Sequence, residues 1–245
     1  MDVDEIDVEL RAPQEVRARI LILSSILRRL ALETAPLPGE GDPVADAFDE
    51  REWLRDQGLT SQLSAPEAAF LDGRPGSASS EAIMELSWQA EALVALAWAV
   101  GLLDMPAVDV PPDLGWIVDL VPRPWDAINT WMSDPAIVSE SDAAQQRESA
   151  EIWHWRATTE SVRRQAASAD RRDYDAAIAE VVVEASSAGL IPTLLDRDFP
   201  VRGRSIKEIS DSAIDELIAV TGQRLRALNW LCGYGTTWDD VPLDI

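Results

Sequence analysis

Glu91 is the carboxylate whose position in the sequence most suggests acid–base chemistry. It stands where the stretch 79–103 loses its polar face and becomes apolar on every side. A buried carboxyl group acquires the raised pKa that a general acid or base uses. A buried acid is also commonly paired, so the alternative role is an ion pair with an arginine such as Arg156 or Arg224.

His154 is the only histidine of the chain and lies between Trp153 and Trp155 in a helical pattern. It could act as a general base or as a pH-sensitive switch. The alternative is a half-buried side chain that hydrogen-bonds a neighbour. No GxSxG motif accompanies it, so a serine hydrolase is not indicated.

Three aspartates near the C-terminus, Asp239, Asp240 and Asp244, offer the oxygen ligands that Mg²⁺ and Ca²⁺ prefer. Their spacing differs from that of an EF-hand loop, so helix capping or pairing with arginine is the alternative. Cys232 is the only cysteine, which excludes an internal disulfide and a cysteine-rich zinc site. No phosphate-loop motif is present. We therefore expect neither a metal nor a cofactor.

The charge of the chain bears on its partners. The formal net charge is -23, from 44 acidic and 21 basic residues. Such a surface repels nucleic acid and anionic lipid and attracts basic proteins. The acidic start lacks the features of a signal peptide, and no run is long enough to span a bilayer, so a cytoplasmic protein is expected.

Apolar periodicity predicts an all-α protein. The chain is expected to form a single helical domain over 1–245, with an acidic segment at 1–12 and an irregular acidic tail at 232–245 packed on the body. Phe48 is expected to point inward, and Phe199 to lie exposed in a loop. The predicted helices cover 13–34, 42–57, 65–71, 79–103, 114–120, 125–132, 140–165, 173–187 and 211–231.

The helix predicted at 79–103 should be the centre of the fold. Its second half is apolar all round, which requires a surrounding of protein or lipid, and the run is too short to span a membrane. We therefore predict a buried central helix with Trp98 in the core. Trp238 is expected to fold back beside Trp230 or the central helix, leaving Asp239 and Asp240 near arginines such as Arg224 or Arg226.

The last helix and tail, GQRLRALNWLCGYGTTWDDVPLDI, resemble a bacterial family known only as a domain of unknown function. That family shows an arginine and ALNWL, then a tryptophan followed by acids, and an ending close to VxxDT, where this chain has Ile245 in place of threonine. The stretches EWLRDQGLTSQLSAPEAAFL, WQAEALVALAWAVGL and HWR also resemble it. The resemblance implies a mainly helical protein and no particular reaction. The residues that carry it include Trp88, Trp98, Trp155, Arg224, Asn229, Trp230 and Trp238.

Two hypotheses of function remain open from the sequence. The first is an acidic module that binds a basic protein, for example an immunity-type protein that neutralises a toxin. The second is an enzyme of unknown reaction with a pocket built on Glu91 and His154. The enzyme hypothesis requires Glu91, His154 and Asp240 to converge on one cleft. The sequence does not predict the oligomeric state.

Overall fold

The structure, a computed structural model, describes residues 8–34, 42–191 and 194–243, so most of the N-terminal segment 1–12 and the residues Asp244 and Ile245 lie outside the described residues. The described chain is all-α, apart from one small antiparallel hairpin of β1 (Pro200–Val201) and β2 (Arg204–Ser205). The helices are α1 (Pro13–Thr34), α2 (Pro43–Asp56), α3 (Ala65–Asp72), α4 (Ser80–Ser87), α5 (Gln89–Ala99), α6 (Leu114–Asp119), α7 (Asn129–Ser133), α8 (Glu140–Gln165), α9 (Arg171–Ser187) and α10 (Asp211–Leu231).

Local signals in the sequence set several of these boundaries. Ser64 caps α3 in a capping box, in which its hydroxyl accepts from the Glu67 backbone N–H and the Glu67 carboxylate accepts from the Ser64 backbone N–H. Asp42 caps α2, and Gly58 follows that helix with a φ of +72°, a left-handed conformation that glycine adopts at low cost. The same chemistry begins α10 at Ser210. Most helix ends therefore lie close to their predicted positions.

The predicted central helix is present as two helices, α4 and α5, which meet at Trp88. The Ser87 hydroxyl donates to the Met84 carbonyl oxygen at 2.7 Å, a local bond that bends helices. The second helix ends at Ala99 rather than near 103, because Gly101 closes it in a left-handed conformation with Leu102 N donating to Ala97 O.

Helix α5 is the most completely apolar element, and it lies between α1 and α10. Its residues are buried with few exceptions, one of which is Trp98, a half-buried side chain at the edge of the core rather than inside it. The fully buried tryptophan of this core is Trp53, on α2. Phe48, on the same helix, is 58% exposed, so the prediction that it points inward is wrong.

Helices α8 and α10 pack along each other and run through two hydrophobic clusters. The C-terminal half of α10 joins the larger cluster around α1 and α5. Its N-terminal half joins a smaller cluster formed by α8, α9 and the hairpin. Phe199 is fully buried in that smaller cluster, against the edge of Trp153 at 4.7 Å between ring centroids. The prediction of an exposed Phe199 is therefore wrong.

The connection between α5 and α8 follows the surface of α1. Arg28 holds it there, because its Nη2 donates to the carbonyl oxygens of Val118, Val121 and Pro122 at 3.0–3.2 Å. The helix predicted at 125–132 begins only at Asn129. Trp125 lies before it with a φ of +70°, outside the helical region.

The C-terminal tail returns to the helical body. Trp238 is buried against the edge of Trp230, with 5.6 Å between ring centroids, and the Arg19 guanidinium covers its face at 4.1 Å. Asn229 fixes the end of the tail, since its Nδ2 donates to the Pro242 carbonyl oxygen at 2.8 Å.

Candidate functional site

Glu91 is buried on α5 and is held by Arg224 of α10. The Arg224 Nε donates to Glu91 Oε2 at 2.8 Å, while its Nη1 donates to the Pro106 carbonyl oxygen at 2.7 Å. Burial raises the pKa of Glu91, and Arg224 opposes that rise. Glu91 and Arg224 therefore form an ion pair, which was the alternative to a catalytic role for Glu91. This pair links α5 to α10.

His154 is half-buried on α8 and faces α10. Its Nδ1 lies 3.0 Å from the Thr221 hydroxyl, which itself donates to the Leu217 carbonyl oxygen at 2.7 Å. The hydroxyl therefore accepts from a protonated Nδ1. Burial lowers the pKa of His154 below its ordinary value, so the ring is neutral at pH 7. Gly222 makes room for it, because a Cβ there would lie 3.2 Å from His154 Cε1.

The three residues of the enzyme hypothesis do not share a cleft. Glu91 and His154 face α10 one turn apart, but each is bonded to its own partner there. The cavity beside Arg224 is lined by residues such as Asp109 and Trp153, and neither Glu91 nor His154 lines it. Asp240 lies in the tail, against its own loop.

Asp240 caps the turn that precedes it. It accepts hydrogen bonds from the Thr236 hydroxyl at 2.5 Å and from the Thr237 backbone N–H at 2.6 Å. These bonds lower its pKa to about 2. Neither Asp239 nor Asp240 forms an ion pair with a described arginine, contrary to expectation. Arg224 is bound to Glu91, and Asp240 is bound within its own turn. Asp244 lies outside the described residues. Within the described ranges, no group of three or more His, Cys, Asp or Glu residues is arranged to hold a metal.

Cys232 is buried at the end of α10, and burial raises the pKa of its thiol to about 11. A nucleophilic cysteine needs the opposite shift, because the thiolate is the reactive form. The group therefore behaves as a small apolar side chain at neutral pH.

The tryptophans and the asparagine that carry the family resemblance occupy packing positions. Trp88 stands at the junction of α4 and α5, Trp98 packs on the larger cluster, and Trp155 packs on the smaller one. Asn229 links two elements, because it also accepts from Arg147 Nε at 2.8 Å while it binds the tail.

A surface that the sequence reasoning did not identify lies between α5 and α8. The acidic segment, residues 104–140, carries a single basic side chain, Arg123, which is paired with Asp119. Two tryptophans of this segment are exposed, Trp116 at 53% and Trp125 at 56%. Its acidic residues are Asp104, Asp109, Asp113, Asp119, Asp126, Asp134 and Glu140. The shortage of basic residues in this segment is visible in the sequence, whereas the exposure of its tryptophans is not.

A second feature, which has no signal in the sequence, is a pair of cavities that both border the tail. Both are lined by Ser64, Trp238 and Asp239. The one between α3, α4 and α10, here called the tail cavity, has a volume of about 360 Å³. Its lining comes from helices far apart in sequence, so no motif could have predicted it.

No helix in the described part of the chain is both long enough and apolar enough to cross a membrane. A family model of a domain of unknown function, DUF4272, matches residues 2–184. The C-terminal pattern around Trp230 and Trp238 lies beyond that match. No curated protein and no solved structure matches the chain. Because the family model covers well over half of the sequence, the chain belongs to the family described as a domain of unknown function (DUF4272).

Proposed function

We propose that this protein is a cytoplasmic, acidic protein-binding module, and that a basic protein docks on the acidic segment 104–140. The net charge of -23 favours association with a basic partner. The acidic segment carries seven acidic side chains and one basic side chain, and it exposes two aromatic side chains. Neutralisation of a basic toxin by an immunity-type protein is one form of this function.

The observation that carries the proposal is the conformation of Trp125. A bulky residue with a positive φ is rare, costs roughly 1–3 kcal/mol, and persists only where the surrounding structure enforces it. Here the chain holds an indole in that conformation, at a φ of +70°, and leaves 56% of it exposed. Strain of this kind concentrates at binding surfaces and active sites.

The acidic segment is fixed to the body, so it presents its side chains in a defined arrangement. Arg28 donates hydrogen bonds to three carbonyl oxygens of the segment, and the segment's own Ile117 and Ile128 are buried. At its far end, Val138 N donates to the Ala99 carbonyl oxygen at 2.8 Å. A preorganised surface loses less entropy on binding than a loose one.

The chemistry of the segment suits lysine and arginine side chains. A guanidinium or ammonium group can stack on an exposed indole while a neighbouring carboxylate accepts its hydrogen bonds. The carboxylates also steer a basic partner, an effect that raises the association rate and weakens as salt increases.

The test compares Trp125→Asn with the parent protein. Asparagine tolerates a positive φ, so the turn should persist while the indole is lost. Binding to a synthetic arginine-rich peptide, measured by fluorescence anisotropy at low salt, should weaken at least fivefold. The thermal stability of the variant should be equal to or above that of the parent, because the strain is relieved.

A matched control is Val183→Ala, which removes a side chain that is 64% exposed on α9, away from the acidic segment. It should leave peptide binding unchanged. Affinity capture from the source cells should retain a basic protein with the parent and the control, and lose it with Trp125→Asn. Equal binding by all three proteins would show that only the overall charge matters. It would contradict the proposal that the acidic segment is a docking surface.

A further inference from the structure

Four residues that line the tail cavity each carry a polar atom that is buried and has no hydrogen-bond partner among the described residues. They are Arg226 Nε, Trp238 Nε1, Gln89 Oε1 and Gln223 Oε1. A buried polar group without a partner costs free energy, so native proteins rarely leave several at one place. Trp238 is only 5% exposed, and its indole N–H can do nothing but donate.

The orientation of Gln89 is fixed by chemistry. Its Nε2 donates at 3.3 Å to Glu67 Oε1, a carboxylate oxygen that can only accept. The free atom of the amide is therefore the acceptor, Oε1. The residues that line the cavity thus offer an unpaired acceptor, from Gln89, and unpaired donors from Arg226 and Trp238.

Arg226 supplies the charge. Other arginines near this cavity are already paired, Arg29 with Glu33 and Arg19 with Glu67. Arg226 forms no ion pair with any residue that the structure describes, in a chain whose acids outnumber its bases two to one. Arg226 lines the cavity and its Nε is buried without a partner, so this guanidinium can pair with an anionic group that enters the cavity.

The remaining lining divides into two kinds. Phe70 and Leu86 are buried apolar side chains on one wall. Glu85 and Asp239 are exposed carboxylates at the rim. The cavity therefore combines an unpaired cation, an apolar wall and acidic groups, in a volume suited to a small molecule.

We propose that the tail cavity binds a small zwitterion with an apolar side chain, of the α-amino acid class. The ligand carboxylate meets Arg226 and the Trp238 indole N–H. The ammonium group meets Gln89 Oε1 and the rim carboxylates, and the apolar side chain packs on Phe70 and Leu86. This site is separate from the acidic segment, so the ligand-binding proposal does not depend on the proposal of protein docking.

The test uses L-phenylalanine as the probe, with two analogues that each lack one charged group. These are 3-phenylpropionate, without the ammonium group, and 2-phenylethylamine, without the carboxylate. Binding is followed on the Trp238 indole N–H resonance in a nitrogen-15 spectrum, which Trp238→Phe identifies by its absence. L-Phenylalanine should move this resonance and bind at least tenfold more tightly than either analogue, because each analogue leaves buried polar groups unpaired.

Arg226→Gln should weaken L-phenylalanine binding about tenfold or more and leave the weak binding of 2-phenylethylamine unchanged. The matched control is Arg172→Gln, which removes an exposed arginine on α9. Circular dichroism establishes that both variants are folded. The proposal is overturned if L-phenylalanine and L-leucine leave the Trp238 resonance unmoved at millimolar concentration, or if the analogues bind as tightly as the amino acid.

Discussion

Arg156 and Asp198, 42 residues apart in sequence, form a bidentate ion pair that is closed to solvent. The Arg156 Nε and Nη2 donate to the two carboxylate oxygens of Asp198 at 2.8 and 2.7 Å, and both side chains are fully buried. Arg156 also donates to Glu160 at 3.1 Å. The pair fastens the loop before the β-hairpin to α8, beside the smaller hydrophobic cluster.

Replacing Arg156 by methionine should destabilise the protein by up to roughly 3–5 kcal/mol, because two buried carboxylates lose the cation they share. Lys207, 3.2 Å from Asp198, and Arg164, 2.9 Å from Glu160, limit the loss. Although burial opposes it, Arg156 lowers the pKa of Asp198 below its ordinary value of 3.8. The stability that Asp198 contributes is therefore present above pH 3.8 and is lost as the pH falls through the folded-state pKa. The free energy of unfolding, measured in urea, should be lower for the variant than for the parent. This difference should be largest at neutral pH and become smaller in acid.

The control for that experiment is Arg123→Ala, which breaks an exposed pair with Asp119 and should cost at most about 1 kcal/mol. Equal costs for the two arginines would show that burial adds nothing to the Arg156 pair.

The contribution of Glu50 to stability should depend on pH in the opposite direction to that of Asp198. It is buried on α2, with Arg28 Nη1 3.8 Å away, and burial raises its pKa from 4.5 to about 7. A raised pKa means that Glu50 favours the folded state fully below pH 4.5, and that this contribution is lost as the pH rises through about 7. Glu50→Gln should therefore gain stability relative to the parent as the pH rises from 4.5 to 8, by an amount on the order of 3 kcal/mol.

The measurement is the difference between parent and variant in the free energy of unfolding across that range, since other groups titrate in both proteins. A difference that stays constant from pH 4.5 to 8 would contradict the raised pKa of Glu50.

The bounds of a helix were predictable where apolar periodicity or a capping residue in the sequence determines them. The bounds of α1 and α8 follow from periodicity, and the capping box at Ser64 and Glu67 is visible as a sequence pattern. What the sequence could not supply is the orientation of long polar side chains. Arg17 and Arg19 lie on an apparently polar part of α1, yet both are buried, because Asp134 and Glu67 arrive from distant segments to pair with them.

The same limit applies to the candidate sites. Glu91 was identified correctly as a buried acid, but which of two arginines would pair with it depended on the packing of α10 on α5. Trp125 could not be recognised as exposed and strained, because no residue pattern around it predicts a positive φ at a tryptophan. The tail cavity depends on residues from α5, α10 and the tail, which only the tertiary fold brings together.

The two tryptophans of the larger cluster should differ in their contribution to stability. Trp53 is fully buried, whereas Trp98 is half-buried at the edge of the same core. Trp53→Ala should cost about 3–5 kcal/mol, the usual effect of emptying a large aromatic site, and Trp98→Ala clearly less. Guanidinium unfolding of both variants tests this order. A larger loss at Trp98 would place the centre of the core on α5 instead.

The tail should stabilise the protein through the burial of Trp238 rather than through its acidic side chains. Its indole packs on the edge of Trp230 and beneath Arg19, whereas Asp239 and Asp240 are exposed. Trp238→Ala, and deletion of residues 236–245, should each lower the thermal melting temperature of the whole protein by several degrees. Asp239→Asn should leave it unchanged, because an exposed carboxylate without an ion pair contributes little. If the deletion leaves the melting temperature intact, the buried indole does not anchor the tail, and its role is confined to lining the tail cavity.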